Sequence, residues 1–311
     1  MRRIAWTLPA MAALLCACGA GPSAGQAADQ PHSSAPAAHR SEPATPRAFA
    51  PSSASAPSSA SRPSGGNAAS VPMLPTAADG AQPRLAPTAT GALHGKIVVV
   101  DPGHNGGNFF APSIINRLIW NGRETETCDT TGAQTDSGYT EALFNWRVAL
   151  YLAADLRAAG ATVVLTRTSN TGVGPCVTER AAIGNNVHAN AAISIHADGG
   201  PPGGRGFAIL EPVADGINNA IVAPSAVLGA DLRAAFAAGT GEPVSSYDGI
   251  NGIQPRDNLA GTNLSRVPKV FIECANMRNA ADARLVTSPR WQATAARAIA
   301  AGLTAFLRGR R

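Results

Sequence analysis

The segment Lys96-Ile-Val-Val-Val-Asp101 constrains the fold more than any other in this chain. Its four central residues are β-branched and apolar without alternation, which fits a strand buried on both faces. Residues 162–166, 191–196, 207–210 and 270–274 read as further strands. Helical patterns lie between them. Residues 140–159 carry Phe144, Val148, Leu152 and Leu156 at four-residue spacing, with Gly160 as the stop. Residues 177–190 and 225–238 read as helices, and residues 290–308 as a closing helix with Ile299, Leu303 and Phe306 on one face. Strands alternating with helices predict an α/β sheet covered on both sides. Sites in such sheets gather beyond the carboxyl ends of the strands.

The rest of the chain sets the size of that domain. Between Gly19 and Ala92, 52 of 74 residues are Ala, Ser, Pro or Gly, and Phe49 is the sole aromatic residue. So little apolar surface cannot offset the entropy of ordering, so residues 21–92 read as a disordered linker. Residues 93–311 then form a single domain with enough chain for one sizeable core. This part is nearly neutral, with 19 Lys/Arg against 17 Asp/Glu and no basic run. That argues against a nucleic-acid partner despite a net charge of +5 for the whole chain.

Residues 1–20 read as an export signal. Arg2 and Arg3 precede an apolar stretch, residues 4–15, that is short for a bilayer span. Leu15-Cys16-Ala17-Cys18-Gly19 also resembles a lipoprotein processing site, which makes Cys18 the candidate lipidated residue and a lipid anchor the one route to a membrane. No other segment stands out as a membrane span. Periplasm or cell wall is the expected location, and monomer the default state. In an oxidising compartment Cys128, in a polar segment, and Cys176, after Gly172-Val-Gly-Pro, suggest a disulfide. Closing a loop of that length contributes about 4 kcal/mol in the chain-entropy model. Cys274, inside an apolar strand, reads as a buried free thiol.

His104 follows the first strand through Asp101-Pro-Gly, His196 ends the third, and Glu141 opens a helix at its positive end. Two imidazoles and a carboxylate suit one catalytic zinc, Zn2+, leaving a fourth position for a water whose pKa falls to about 7. Each also has a purely structural reading, as a hydrogen-bonded histidine or a helix-terminus carboxylate. Glu273 stands in the apolar run Val270-Phe-Ile-Glu-Cys, where a carboxylate is costly unless paired, near a metal or at an exposed strand end. It is either a general base and acid beside a metal or the partner of Arg256 or Arg278. Alternation places Glu273 and Cys274 on opposite sides of the sheet. Gly103 to Asn108 lacks the Lys-Ser/Thr of a phosphate loop. The Gly-x-Ser-x-Gly match at residues 21–25 lacks a strand-to-helix context.

Together, Val98-Val-Val-Asp-Pro-Gly-His104-Asn-Gly, Glu141, Ile193-Ser-Ile-His-Ala-Asp198 and Phe271-Ile-Glu273 resemble the zinc-dependent N-acetylmuramoyl-L-alanine amidases of the amidase 3 type. Thr171-Gly-Val-Gly-Pro-Cys176 and Glu179-Arg-Ala resemble their compact mycobacterial members. The resemblance implies a mixed, six-stranded sheet between helices, with zinc on His104, Glu141 and His196 and with Glu273 as base and acid. It implies cleavage of the amide between N-acetylmuramic acid and L-alanine in peptidoglycan, and a bridge from Cys128 to Cys176. Residues 248–265 are too few for the inhibitory helix of some larger relatives. Two alternatives stay open, a non-catalytic peptidoglycan-binding protein and a zinc hydrolase of another wall amide such as an N-acetyl group.

Overall fold

The structure, a computed structural model, describes residues 91–309. The expected signal, the linker through residue 90 and Cys18 lie outside the described residues. The elements run β1 (Ile97–Pro102), α1 (Pro112–Ile115), β2 (Leu118–Trp120), β3 (Thr125–Thr127), α2 (Glu141–Ala158), β4 (Thr162–Leu165), α3 (Val177–Asn186) and β5 (Ala191–Asp198). They continue with β6 (Ala208–Pro212), α4 (Asn219–Thr240), β7 (Ile253–Arg256), α5 (Ala260–Asn263), β8 (Lys269–Asn276), α6 (Ala280–Val286) and α7 (Pro289–Arg308).

Six strands form one sheet in the order β4-β1-β5-β8-β6-β7, and β2 and β3 form a separate antiparallel ribbon. Every pairing in the large sheet is parallel except β6 with β8, so the sheet is mixed, as the resemblance implied. Val98, Val99 and Val100 are all fully buried, which bears out the reading of β1 as covered on both faces. One face carries Val98, Val100, Ile193, Ile195, Val270, Ile272 and Cys274 into the main core. There α2, α4 and α7 pack, and each large aliphatic side chain removed from water contributes roughly 1.5–3 kcal/mol. The other face, partly covered by α3 and α5, carries Asp101, Ser194, Lys269 and Phe271.

Several boundaries differ from the sequence pattern. Helix α3 ends at Asn186, four residues early, and His188 takes a left-handed φ of 48° that turns the chain into β5. Helix α4 starts at Asn219, six residues before the expected start, and holds Pro224 in its second turn. Pro224 lies past the first turn, so it removes the bond to the Ala220 carbonyl, and packing of the following turns in the core holds the helix. At 22 residues and a mean hydropathy of 1.4, α4 is long and apolar enough to cross a membrane. Its Leu228, Leu232 and Phe236 are instead buried in the core. Strand β7 was not expected, because Gln254 and Pro255 interrupt its apolar pattern; Pro255 is tolerated on an edge strand. The Cys128–Cys176 disulfide is present, and Cys274 is a buried free thiol.

Candidate metal centre

His104 leaves β1 through a tight turn and takes φ 56°, a left-handed value that costs a non-glycine residue of order 1 kcal/mol or more. Gly103 makes room for that turn, since a Cβ there would lie 2.2 Å from His196 Cε1. His196 projects from β5 in register with Glu273 of β8, just before a bulge that separates it from Asp198. Glu141 is the first residue of α2, in the turn where the helix dipole favours a carboxylate.

These elements bring the three expected ligands together. Glu141 Oε2 lies 3.3 Å from His104 Nε2, and Glu141 Oε1 lies 2.9 Å from His196 Nδ1. The three ligand atoms are all within 4.8 Å of one another. Glu141 is held in place by the Ala133 amide, which donates to Oε2 at 2.7 Å, and by Asn145 one turn along α2. Gly132, at φ 73°, closes the cradle; a Cβ there would come within 2.7 Å of His104 Cδ2 and 2.8 Å of Glu141 Oε2. Burial alone would lower the proton affinity of His104, but Glu141 and Asp129 overcome it and raise the pKa to about 10. Burial alone would raise Glu141, and the two histidines instead hold it well below the carboxylate range. Each group is thus tuned for a positive charge at the point where they meet. The donor set fits a zinc-like cation.

Glu273 borders the same space. Its Oε2 is buried and finds no hydrogen-bond partner among the described residues. Burial, and then repulsion from Glu141 and Asp198, raises its pKa well above the usual range, with His104 opposing. Neither suggested arginine neutralises it. Arg278 Nε lies 3.4 Å from Asp136, and Arg256 Nε donates to Asn258 at 2.9 Å. Below His196 the Phe271 ring stacks on the imidazole at 5.3 Å, and a cavity of about 160 Å³ runs from the histidines past Phe271 to Leu259 and Glu126.

Other participants escaped the sequence pattern. Asp129 Oδ1 and the Thr130 carbonyl both sit 3.2 Å from His104 Nδ1. Tyr247 rests on Gly200 and Gly204, where any Cβ would collide with its ring, and its phenol hydrogen-bonds Asp198 beside Glu273. Burial and Asp198 push the phenol's pKa up. A polar segment rich in Thr and Asp offers no local signal that one of its members faces a histidine.

Residues 98–305 match the family model for N-acetylmuramoyl-L-alanine amidase. The chain belongs to the N-acetylmuramoyl-L-alanine amidase family. It is 38% identical over 216 residues, covering 69% of this chain and 88% of the relative, to N-acetylmuramoyl-L-alanine amidase Rv3717 of Mycobacterium tuberculosis. Among solved structures it is similar to the amidase Ami1 of Mycobacterium smegmatis, at 41% identity and a TM-score of 0.66, covering 69% of this chain and 98% of that one. The apo form of Ami1 from Mycobacterium abscessus is similar at 39% identity and a TM-score of 0.65, with coverage of 69% and 99%. Family membership and the mixed six-stranded α/β architecture therefore agree.

Proposed function

We propose that this amidase is a zinc-dependent peptidoglycan hydrolase that cleaves the amide joining N-acetylmuramic acid to L-alanine of the stem peptide. The observation that carries the reading is the convergence of His104, Glu141 and His196 beside the uncompensated carboxyl of Glu273. Zinc held by those three residues would act as a Lewis acid on the amide carbonyl and on water. Glu273 takes a proton from the attacking water and passes it to the departing amine of L-alanine, which is the work of a carboxyl group with a raised pKa. Asp129 and the Thr130 carbonyl orient His104, and Asn145 and the Ala133 amide orient Glu141. The unpartnered Glu273 oxygen favours turnover over a binding-only role, because a binding module has no need to bear that desolvation cost. Export to the periplasm or wall follows from this substrate and from the N-terminal signal pattern, with Cys18 as a candidate anchor point.

Mass spectrometry of a muramyl-peptide incubated with the purified chain tests the reading. A free peptide beginning in L-alanine, lost with a chelator and restored by zinc, is the expected product. Release of acetate would point to the N-acetyl alternative, and an unchanged substrate with zinc bound would point to the binding module.

A further inference from the structure

Beside the metal centre lies a set of buried charges that is too well connected for a generic salt bridge. Arg180, on α3, is 3% exposed. Its Nε donates to the Pro175 carbonyl at 3.0 Å. One terminal nitrogen, Nη1, reaches Asp101 Oδ1 at 2.9 Å and the Pro102 carbonyl at 2.8 Å. The other, Nη2, reaches the His104 carbonyl at 3.0 Å and Asp129 Oδ2 at 3.3 Å. A guanidinium has five N–H donors, and here five acceptors meet them.

The two carboxylates on this guanidinium lead to different histidines. Asp129 Oδ1 is 3.2 Å from His104 Nδ1. A carboxylate and the Thr130 carbonyl only accept, so Nδ1 donates to them and the Nε2 side of the ring is turned toward Glu141. On the other arm Ser194 Oγ donates to Asp101 Oδ2 at 2.9 Å. That donation uses the hydroxyl's single proton, so at the 3.2 Å contact with His196 Nε2 the hydroxyl accepts. His196 therefore donates from Nε2 to the hydroxyl, and its Nδ1 side is turned toward Glu141. Lys269, 2% exposed, holds Asp101 Oδ2 at 3.1 Å, and Thr166 holds Oδ1 at 2.6 Å. His104, Asp129, Arg180, Asp101, Ser194 and His196 thus form one chain of contacts with Arg180 at its middle.

We propose that Arg180 is a positioning residue that fixes the ring orientations of both histidines at once, turning Nε2 of His104 and Nδ1 of His196 toward Glu141, through Asp129 for His104 and through Asp101 and Ser194 for His196. It also pins the left-handed His104 turn by bonding the carbonyls of Pro102 and His104. Its bond to Pro175, beside the bridged Cys176 that caps α3, fixes the guanidinium itself. A lysine has three donors and no planar fork, so it cannot span the two carboxylates and the carbonyls together. The inference rests on the zinc reading for its purpose, but its geometry lies wholly in this chain's own residues.

The test uses the full chain as wild type, Arg180→Lys and Ser194→Ala, the last cutting only the His196 arm and sparing the His104 turn. Proton–nitrogen-15 spectra of the metal-free histidines report whether each ring is held in a single environment, and competition with a chromophoric chelator reports zinc affinity. Wild type should show one set of ring signals for each histidine. Arg180→Lys should split both sets and weaken zinc about 10- to 100-fold, the usual range for residues that orient metal ligands. Ser194→Ala should split the His196 set alone and weaken zinc within that range, with His104 unchanged. Unaltered ring signals and zinc affinity in folded Ser194→Ala or Arg180→Lys would overturn the proposal. Because the ring signals are read without metal, a wild type with single ring environments that binds no zinc would strike the zinc reading and leave the positioning role standing.

Discussion

The two faces of the central sheet are built from the same strands and do opposite things. On one face Ile193, Ile195, Val270, Ile272 and Cys274 are buried with no exposed surface, and the helices against them supply apolar partners. On the other, residues one step away along the same strands are Ser194, His196, Phe271 and Glu273. Period-two alternation allows a single strand to carry stability and chemistry separately. Glu273 and Cys274 make the division sharpest. The thiol belongs to the core, while the carboxyl faces the proposed metal ligands.

Substitutions on either face should therefore separate fold from function. The largest effect on the polar face is expected from His196→Ala. Loss of a proposed direct ligand should weaken zinc more than the roughly 10- to 100-fold expected for supporting residues. Calorimetric zinc titration reads this, and the metal-free chain should unfold at nearly the wild-type urea midpoint. On the apolar face Ile272→Ala should remove about 2–5 kcal/mol of stability by leaving a cavity, measured by urea unfolding. Activity per folded molecule should be unchanged, and zinc affinity likewise.

The polar face also holds an internal contrast, in two carboxylates with opposite pH responses. Burial would raise Asp101, but Lys269 and Arg180 draw it far below the usual range. Its contribution is present above the unfolded aspartate value of about 3.9 and is lost as pH falls below it. Glu273 is raised instead. Between the unfolded glutamate value of about 4.3 and its own pKa the folded chain keeps a proton that the unfolded chain releases, so stability falls as pH rises. In a pH series of urea unfolding on metal-free protein, Glu273→Gln should remove the share of that decline carried by Glu273, leaving the share His104 carries above pH 6.5 and the acid limb intact. A smaller effect is expected on the apolar side. Cys274→Ser buries a hydroxyl among aliphatic groups and should cost about 1–3 kcal/mol with activity retained.

How much of this was legible in the sequence follows from the range of each interaction. Continuous apolar runs exposed β1, β5 and β8, and four-residue spacing exposed α2, because those patterns repeat along the chain. The proposed ligands were legible because His104, His196 and Glu141 sit near the ends or starts of those elements. The edge strand β7 and the single-turn α5 were not, since neither buries enough side chain to impose a period. Asp129 and Arg180 bond across 51 residues, and Asp101 and Lys269 across 168. No local pattern records pairings of that kind. The same limit explains Arg256 and Arg278, plausible partners of Glu273 by charge that point elsewhere in space.

The central proposal is that holding the metal falls to His104, Glu141 and His196 and moving the proton falls to a different residue, Glu273. Glu273→Gln, assayed for zinc stoichiometry and for muramyl-peptide cleavage on the same preparation, tests it most directly. One zinc bound at wild-type affinity with turnover reduced about 100- to 10,000-fold is the predicted result. Cleavage at the wild-type rate, or loss of zinc together with activity, would contradict it.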